Sequence, residues 1–183
     1  MRISLSLPVL CLCLIASIAT SSTARATVSV SLELPANSPA VGESFDIRIV
    51  ADLSEAILGW GLDFDVALPA IAVVTDVQIA DPWLAASTTD GDELAGVAFP
   101  SSISGSHILL ATLTLEALAE GSTDLFIGDD HPTDLTEGFA LDPSGFDAVE
   151  YTPDVLTIVP EPASIGTLGA LLVIAAWRHR RHA

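Results

Sequence analysis

From Leu58 to Val66 the chain alternates without a break, setting Leu58, Trp60, Leu62, Phe64 and Val66 against Gly59, Gly61, Asp63 and Asp65. A period of two belongs to a strand with one buried face, because successive side chains point to opposite sides of a sheet. The glycines on the second face leave room for another backbone or side chain to approach closely. The same period runs through Val28, Val30, Leu32 and Leu34, and again through Phe45, Ile47 and Ile49. Further strands are expected at 71–79, 94–99, 107–117, 122–128 and 155–159. Turn-forming clusters separate them, among them 35–42, Asp81-Pro82, Asp90-Gly91, 100–105 and Glu120-Gly121. Between 27 and 158 there is no long helical period and no internal repeat. About eight short strands of this kind predict an all-β domain, an antiparallel β-sandwich. The acidic stretch 129–154 is expected to be a long loop with one short strand near 139–141.

The two ends of the chain differ in kind from this middle. Residues 1–26 have the form of a secretory signal peptide, with Arg2 at the start, an apolar run over 3–18, and Ala24-Arg25-Ala26 as a small-x-small site cut after Ala26. A retained N-terminal anchor is the alternative. Both cysteines, Cys11 and Cys13, lie inside this segment, and neither follows the small residues that a lipoprotein site needs, so the mature domain is expected to hold no thiol and no disulfide. At the other end, Pro160 and Pro162 lack N–H groups and bias their predecessors toward extended backbone, so no helix continues through them. Residues 163–177 then carry no charge. As a helix this stretch would span about 22 Å at ~1.5 Å per residue, short of the roughly 30 Å hydrocarbon core. Trp177 stands at the junction with Arg178, Arg180 and Arg181, where an interfacial aromatic and a cytoplasmic positive stop belong.

The chain has 183 residues, room for one ordinary domain beside such segments. Its net charge is −18, and the imbalance is concentrated: of 24 acidic residues only Glu161 lies outside 27–160, which leaves 23 there, opposite one basic residue, Arg48. That surface repels phosphate backbones and excludes nucleic acid as a partner. It also repels anionic lipid and suits cations or neutral polymers. With a single arginine, ion pairs cannot carry the stability of the domain, which must come from its apolar core.

Val159-Pro160-Glu161-Pro162-Ala163-Ser164, the short apolar segment and the terminal arginines together resemble the PEP-CTERM sorting signal of Gram-negative bacteria that make extracellular polysaccharide. The resemblance covers 159–183. It implies recognition at Pro160, Glu161 and Pro162 by the membrane-embedded transpeptidase exosortase, a transient inner-membrane anchor with Arg178, Arg180 and Arg181 as its stop, and release to the cell surface or medium. An ordinary tail anchor, with the prolines as a linker, is the alternative. A second resemblance covers 27–158: Val41-Gly42-Glu43-Ser44-Phe45, Gly59-Trp60-Gly61-Leu62-Asp63-Phe64-Asp65, the strand 109–115, and Gly121 before a strand are similar to cohesin-type modules. It implies a jelly-roll sandwich related to carbohydrate-binding modules. The chain departs from that pattern at Val66-Ala67-Leu68-Pro69, and the dockerin partner is not implied with the fold.

Catalytic chemistry finds little purchase. His107 and His131 are the histidines of the middle region, neither sits in a nucleophile motif, and Ser102-Ile103-Ser104-Gly105-Ser106 reads as a loop. Asp63 and Asp65 share a strand face about 7 Å apart, but with so many carboxylates such pairs arise by composition. Asp124, Asp129, Asp130 and Asp134 are candidate Ca²⁺ ligands, although no Asp-x-Asp-x-Asp-Gly spacing occurs. Trp83 and Tyr151 are candidate aromatic platforms for a sugar, against the plainer reading of Trp83 as a cap on the sandwich; Trp60 belongs to the core. The expectation is an exported, non-enzymatic surface or matrix protein with a structural or adhesive role. The alternative is a module that binds extracellular polysaccharide, with Ca²⁺ as a possible cofactor.

Overall fold

A computed structural model describes residues 28–88, 94–143 and 145–161. The signal segment with Ala24 and Ala26, Pro162, the apolar stretch and the terminal arginines lie outside the described residues. Ten strands follow one another: β1 (Val28–Glu33), β2 (Ser44–Val66), β3 (Ala72–Ile79), β4 (Leu84–Thr88), β5 (Leu94–Val97), β6 (Ile103–Ala117), β7 (Gly121–Gly128), β8 (Gly138–Leu141), β9 (Val149–Thr152) and β10 (Asp154–Ile158). No helix occurs among the described residues.

The stretches 45–49 and 58–66, expected as two strands, are halves of one. β2 runs for 23 residues and belongs to both layers of the sandwich. Its first half lies between β1 and β6. Its second half pairs with β5, β8 and β7. A strand that passes from one layer to the facing one must turn its other face to the core. The burial pattern records that change: Phe45, Ile47, Ile49, Ala51 and Leu53 point inward in the first half, Trp60, Leu62 and Phe64 in the second. The ladder with β6 shifts register between Ile49 and Val50, between Ala51 and Leu53, and between Leu53 and Ile57, and such irregularities are where a strand can bend and switch faces.

Apolar side chains of both layers meet in one core. Val28, Val30, Ile47, Ile49, Leu113 and Leu115 come from one side, and Leu62, Phe64, Leu94, Leu125, Phe139 and Leu156 from the other. Ionic support is slight, as the composition requires. Arg48 pairs with Glu33 across β1 and β2 at 2.8 Å, on the surface, where such a pair adds at most about 1 kcal/mol. His107 joins it at 3.1 Å from Glu33, and its amide donates to Asp52.

Further expectations need correction. The sheet is not wholly antiparallel: β9 runs parallel to β1, with Val28 opposite Val149 and Ser31 opposite Thr152. Residues 129–154 are not one loop with one strand, since β8 and β9 both form there, and β4 forms over a stretch read as connection. Trp83 is not an exposed platform. It is 3% exposed, its Nε1 donates to the Leu109 carbonyl at 3.1 Å, and its ring meets that of Trp60 edge-on at 6.3 Å. The plainer reading of Trp83 holds, since its indole has both an apolar wall and an acceptor for its N–H.

The Trp60 ring lies across Gly96, its partner on β5, where a Cβ would come within 2.8 Å of the indole. Gly96→Ala should therefore destabilise the domain by about 1–3 kcal/mol through overpacking. Gly128→Ala, where a Cβ meets nothing within 4 Å, should be near neutral. Denaturant midpoints of the two variants check the pair.

Candidate functional site

The outward row of β2 continues as Gly59, Gly61, Asp63, Asp65, and its neighbours decide what that face can bind. Gly59 stands between Val97 on β5 and Ala140 on β8, and Gly61 between Ala95 and Gly138. All but Val97 are glycine or alanine, so the outer surface sinks into a cleft of about 360 Å³. Ala86 and Ser87 of β4 edge it on one side, and Leu135, Thr136 and Phe146 on the other. Its rim is apolar and open to solvent: Leu135 is 71% exposed, Phe146 42% and Val97 41%. Leu84, paired with Val97, extends the patch.

The wall of the cleft is the segment between β7 and β8, which crosses the sheet as a strap. It can lie so close because Gly61 has no side chain: a Cβ there would stand 2.4 Å from the Thr136 carbonyl oxygen. The sequence foresaw a close approach over these glycines, and this is what approaches. Gly138 plays a similar part beneath His131 and Phe146, whose rings stack at 4.1 Å. His131 is thus engaged by an aromatic face, its Nδ1 buried without a hydrogen-bond partner. No sequence signal marked Leu135 or Phe146, because their exposure arises only when the strap folds onto the sheet.

The strap is tied down by carboxylates. Glu137 is buried, at 2% exposure, and accepts the Asp130 amide. Tyr151 on β9 donates its hydroxyl to Asp129, which also accepts the His131 amide. Asp134 accepts both the amide and the hydroxyl of Thr136. Next to these, Asp63 and Asp65 line a shallow depression with Phe126, Gly128, Asp129 and Asp130. One sheet face therefore offers an apolar cleft that adjoins a concentrated negative field.

The same bonds answer the expectations for these residues. Tyr151 is half-buried, and its hydroxyl is engaged by Asp129. The four aspartates do not converge on a metal: Asp124 lies on β7 opposite Val155, while Asp129 and Asp134 are used within the strap. Among the described residues no group of three or more His, Cys, Asp or Glu is arranged to hold an ion.

Burial raises the Glu137 carboxyl above its ordinary value; the Asp130 amide opposes that, and the carboxylates of Asp63, Asp134 and Asp130 reinforce it. Burial and the Asp129 contact push the Tyr151 phenol far up, so it stays a donor. Hydrogen bonds from Thr136 hold Asp134 below the usual range.

No protein-family model matches the chain, and no curated protein matches it. Solved structures do. The cohesin–dockerin complex Coh-OlpC–Doc435 from Clostridium thermocellum contains a chain with a TM-score of 0.57 at 12% identity, the match covering 77% of this chain and 99% of that one. A non-cellulosomal cohesin from Archaeoglobus fulgidus has a TM-score of 0.54 at 14% identity, over 73% of this chain and 92% of that one. The third ScaB cohesin of R. flavefaciens, solved with a group 1 dockerin, has a TM-score of 0.56 at 11% identity, over 76% and 99%. The described domain is thus a cohesin-like β-sandwich, in agreement with the resemblance read from 27–158.

The direction of the Glu137 shift gives a pH dependence. A carboxyl that holds its proton more firmly when folded makes the native state bind more protons, so its contribution to stability falls as pH rises from about 4.5 through the raised native value. Glu137→Gln is neutral throughout and should flatten that part of the profile while equalling or exceeding the parent at pH 7. Melting temperatures of both proteins between pH 4 and 7 check this; parallel profiles would refute it.

Proposed function

We propose that this chain is an exported, non-enzymatic interaction module, released from an inner-membrane anchor through its C-terminal sorting segment, whose sandwich docks a protein partner on the outer face of the β4–β5–β2–β8 layer. The observation that carries the reading is the cleft over Gly59 and Gly61, with Leu84, Val97, Leu135 and Phe146 exposed around it. Contiguous exposed apolar surface of this kind is characteristic of docking sites. The neighbouring Asp63, Asp65 and Asp130 favour a partner that flanks an apolar contact with lysine or arginine. Solved cohesins of the same fold carry dockerins, which supports a protein partner for this one. Polysaccharide binding is the weaker reading, because Trp83 and Tyr151, its two aromatic platforms, are both committed to the fold.

The sorting half of the proposal rests on Pro160-Glu161-Pro162 standing between the last strand and an uncharged segment closed by arginines. Intact mass and membrane fractionation of the exported chain should show loss of the C-terminal segment when the tripeptide is present and retention when it is deleted. For the sandwich, Phe146→Asp and Leu135→Asp should abolish capture of its surface partner. Leu135→Asp, at an exposed site, should change stability by no more than about 0.5 kcal/mol, whereas Phe146→Asp should cost more because it also removes the stack on His131. Capture should also weaken as salt rises. Undiminished capture by both variants would place the docking surface elsewhere.

A further inference from the structure

The backbone ladder of the described domain ends at Val159, the residue before Pro160. Ile158 closes the ladder of β10 opposite Gly121 and is 2% exposed. Val159 then leaves β10 and forms a parallel bridge with Ala40: its amide donates to the Pro39 carbonyl at 2.9 Å, and its carbonyl accepts the Val41 amide at 3.1 Å. The receiving turn is itself fastened. Glu43 donates to the Ala40 carbonyl at 3.0 Å, with Gly42 at φ 81° in the third position, and the Ala40 amide returns to the Glu43 carboxylate at 2.9 Å. Gly42 and Glu43 are bonded in turn to Ala117 at the end of β6. Pro160 has no N–H, so the ladder cannot extend by another rung. Beyond it the Glu161 carboxylate lies over Gly42, 3.8 Å from where a Cβ would stand.

An enzyme that takes a peptide as an added strand needs the backbone N–H and C=O groups of that peptide free. At Val159 both are already used. We infer that the clamp of Val159 between Pro39 and Val41 sets the near limit of processing: the chain is cut on the far side of Pro160, and never before it, while the sandwich is folded. The cut breaks one amide bond, and when water is the nucleophile its oxygen goes to the new carboxylate and its two hydrogens to the new terminal ammonium. The inference rests on the sorting reading only for the existence of a natural cut. The clamp stands on geometry alone.

Two measurements on the full chain separate these. Limited digestion with proteinase K should leave a resistant core whose C-terminal residue, by mass, is Pro160 or later. Val41→Pro removes the one donor to the Val159 carbonyl, and it does so at the second position of a turn with a positive-φ glycine third, where proline is favoured. In that variant the resistant end should recede to before Val159 and the Tm should drop by about 3–5 °C, the shift expected for one lost hydrogen bond in a domain of this size. Val41→Ala keeps the N–H and should leave the end where it is. A parent core that ends before Val159, or a Val41→Pro core identical to the parent's, would overturn the inference. The exported product should end at Pro160 or beyond, and an end at or before Val159 would overturn it equally. A product that keeps its whole C-terminal segment refutes the sorting reading instead, with the digestion still deciding the clamp.

Discussion

Everything in this domain hangs on one strand being shared. β2 gives its first half to one layer and its second to the other, so the two sheets cannot slide or separate without breaking continuous backbone. The exchange of inward faces between Leu53 and Trp60 is the local cost of that arrangement, and the register shifts against β6 are where the ladder absorbs it. Because neither disulfides nor an ion-pair network is available to a middle region with one arginine, the core along β2 carries the stability.

The same strand builds the outer face. Glycine at 59 and 61 is unfavourable within a strand for entropic reasons and gives the sheet nothing to pack with. Here the lack of side chains is what admits the strap at one end and opens the cleft at the other. Beyond the glycines the row turns to Asp63 and Asp65, so a single outward face passes from apolar hollow to negative field within two rungs. The strap that walls the hollow is held by Glu137 and Asp129, which links the shape of the cleft to the protonation of a buried carboxyl.

Much of this was legible in the residues, and what was not has identifiable causes. The alternation over 58–66 announced its own buried face, and Trp60 lies where it said. The fusion of two strands into β2 was hidden because Ala51 to Ile57 mixes acid, serine and alanine with no steady period. β4 and β9 are too short, at five and four residues, to show a period at all. Trp83 directly follows Asp81-Pro82, which reads as an exposed turn, while its burial is decided by Trp60 and Leu109 from distant parts of the chain. The strap, Phe146 and Leu135 depend wholly on tertiary placement, and local pattern carries no trace of it.

The parallel pairing of β1 with β9 has a kinetic consequence. β1, the first strand of the described residues, finds this partner only near the end of the domain, since Val28 meets Val149. Contacts of such long sequence separation make a chain slow to fold, and no amount of local order in the first half can complete the sandwich. A chain built this way stays open until nearly all of it has emerged, the condition a polypeptide must meet if it is to be threaded across a membrane before it closes.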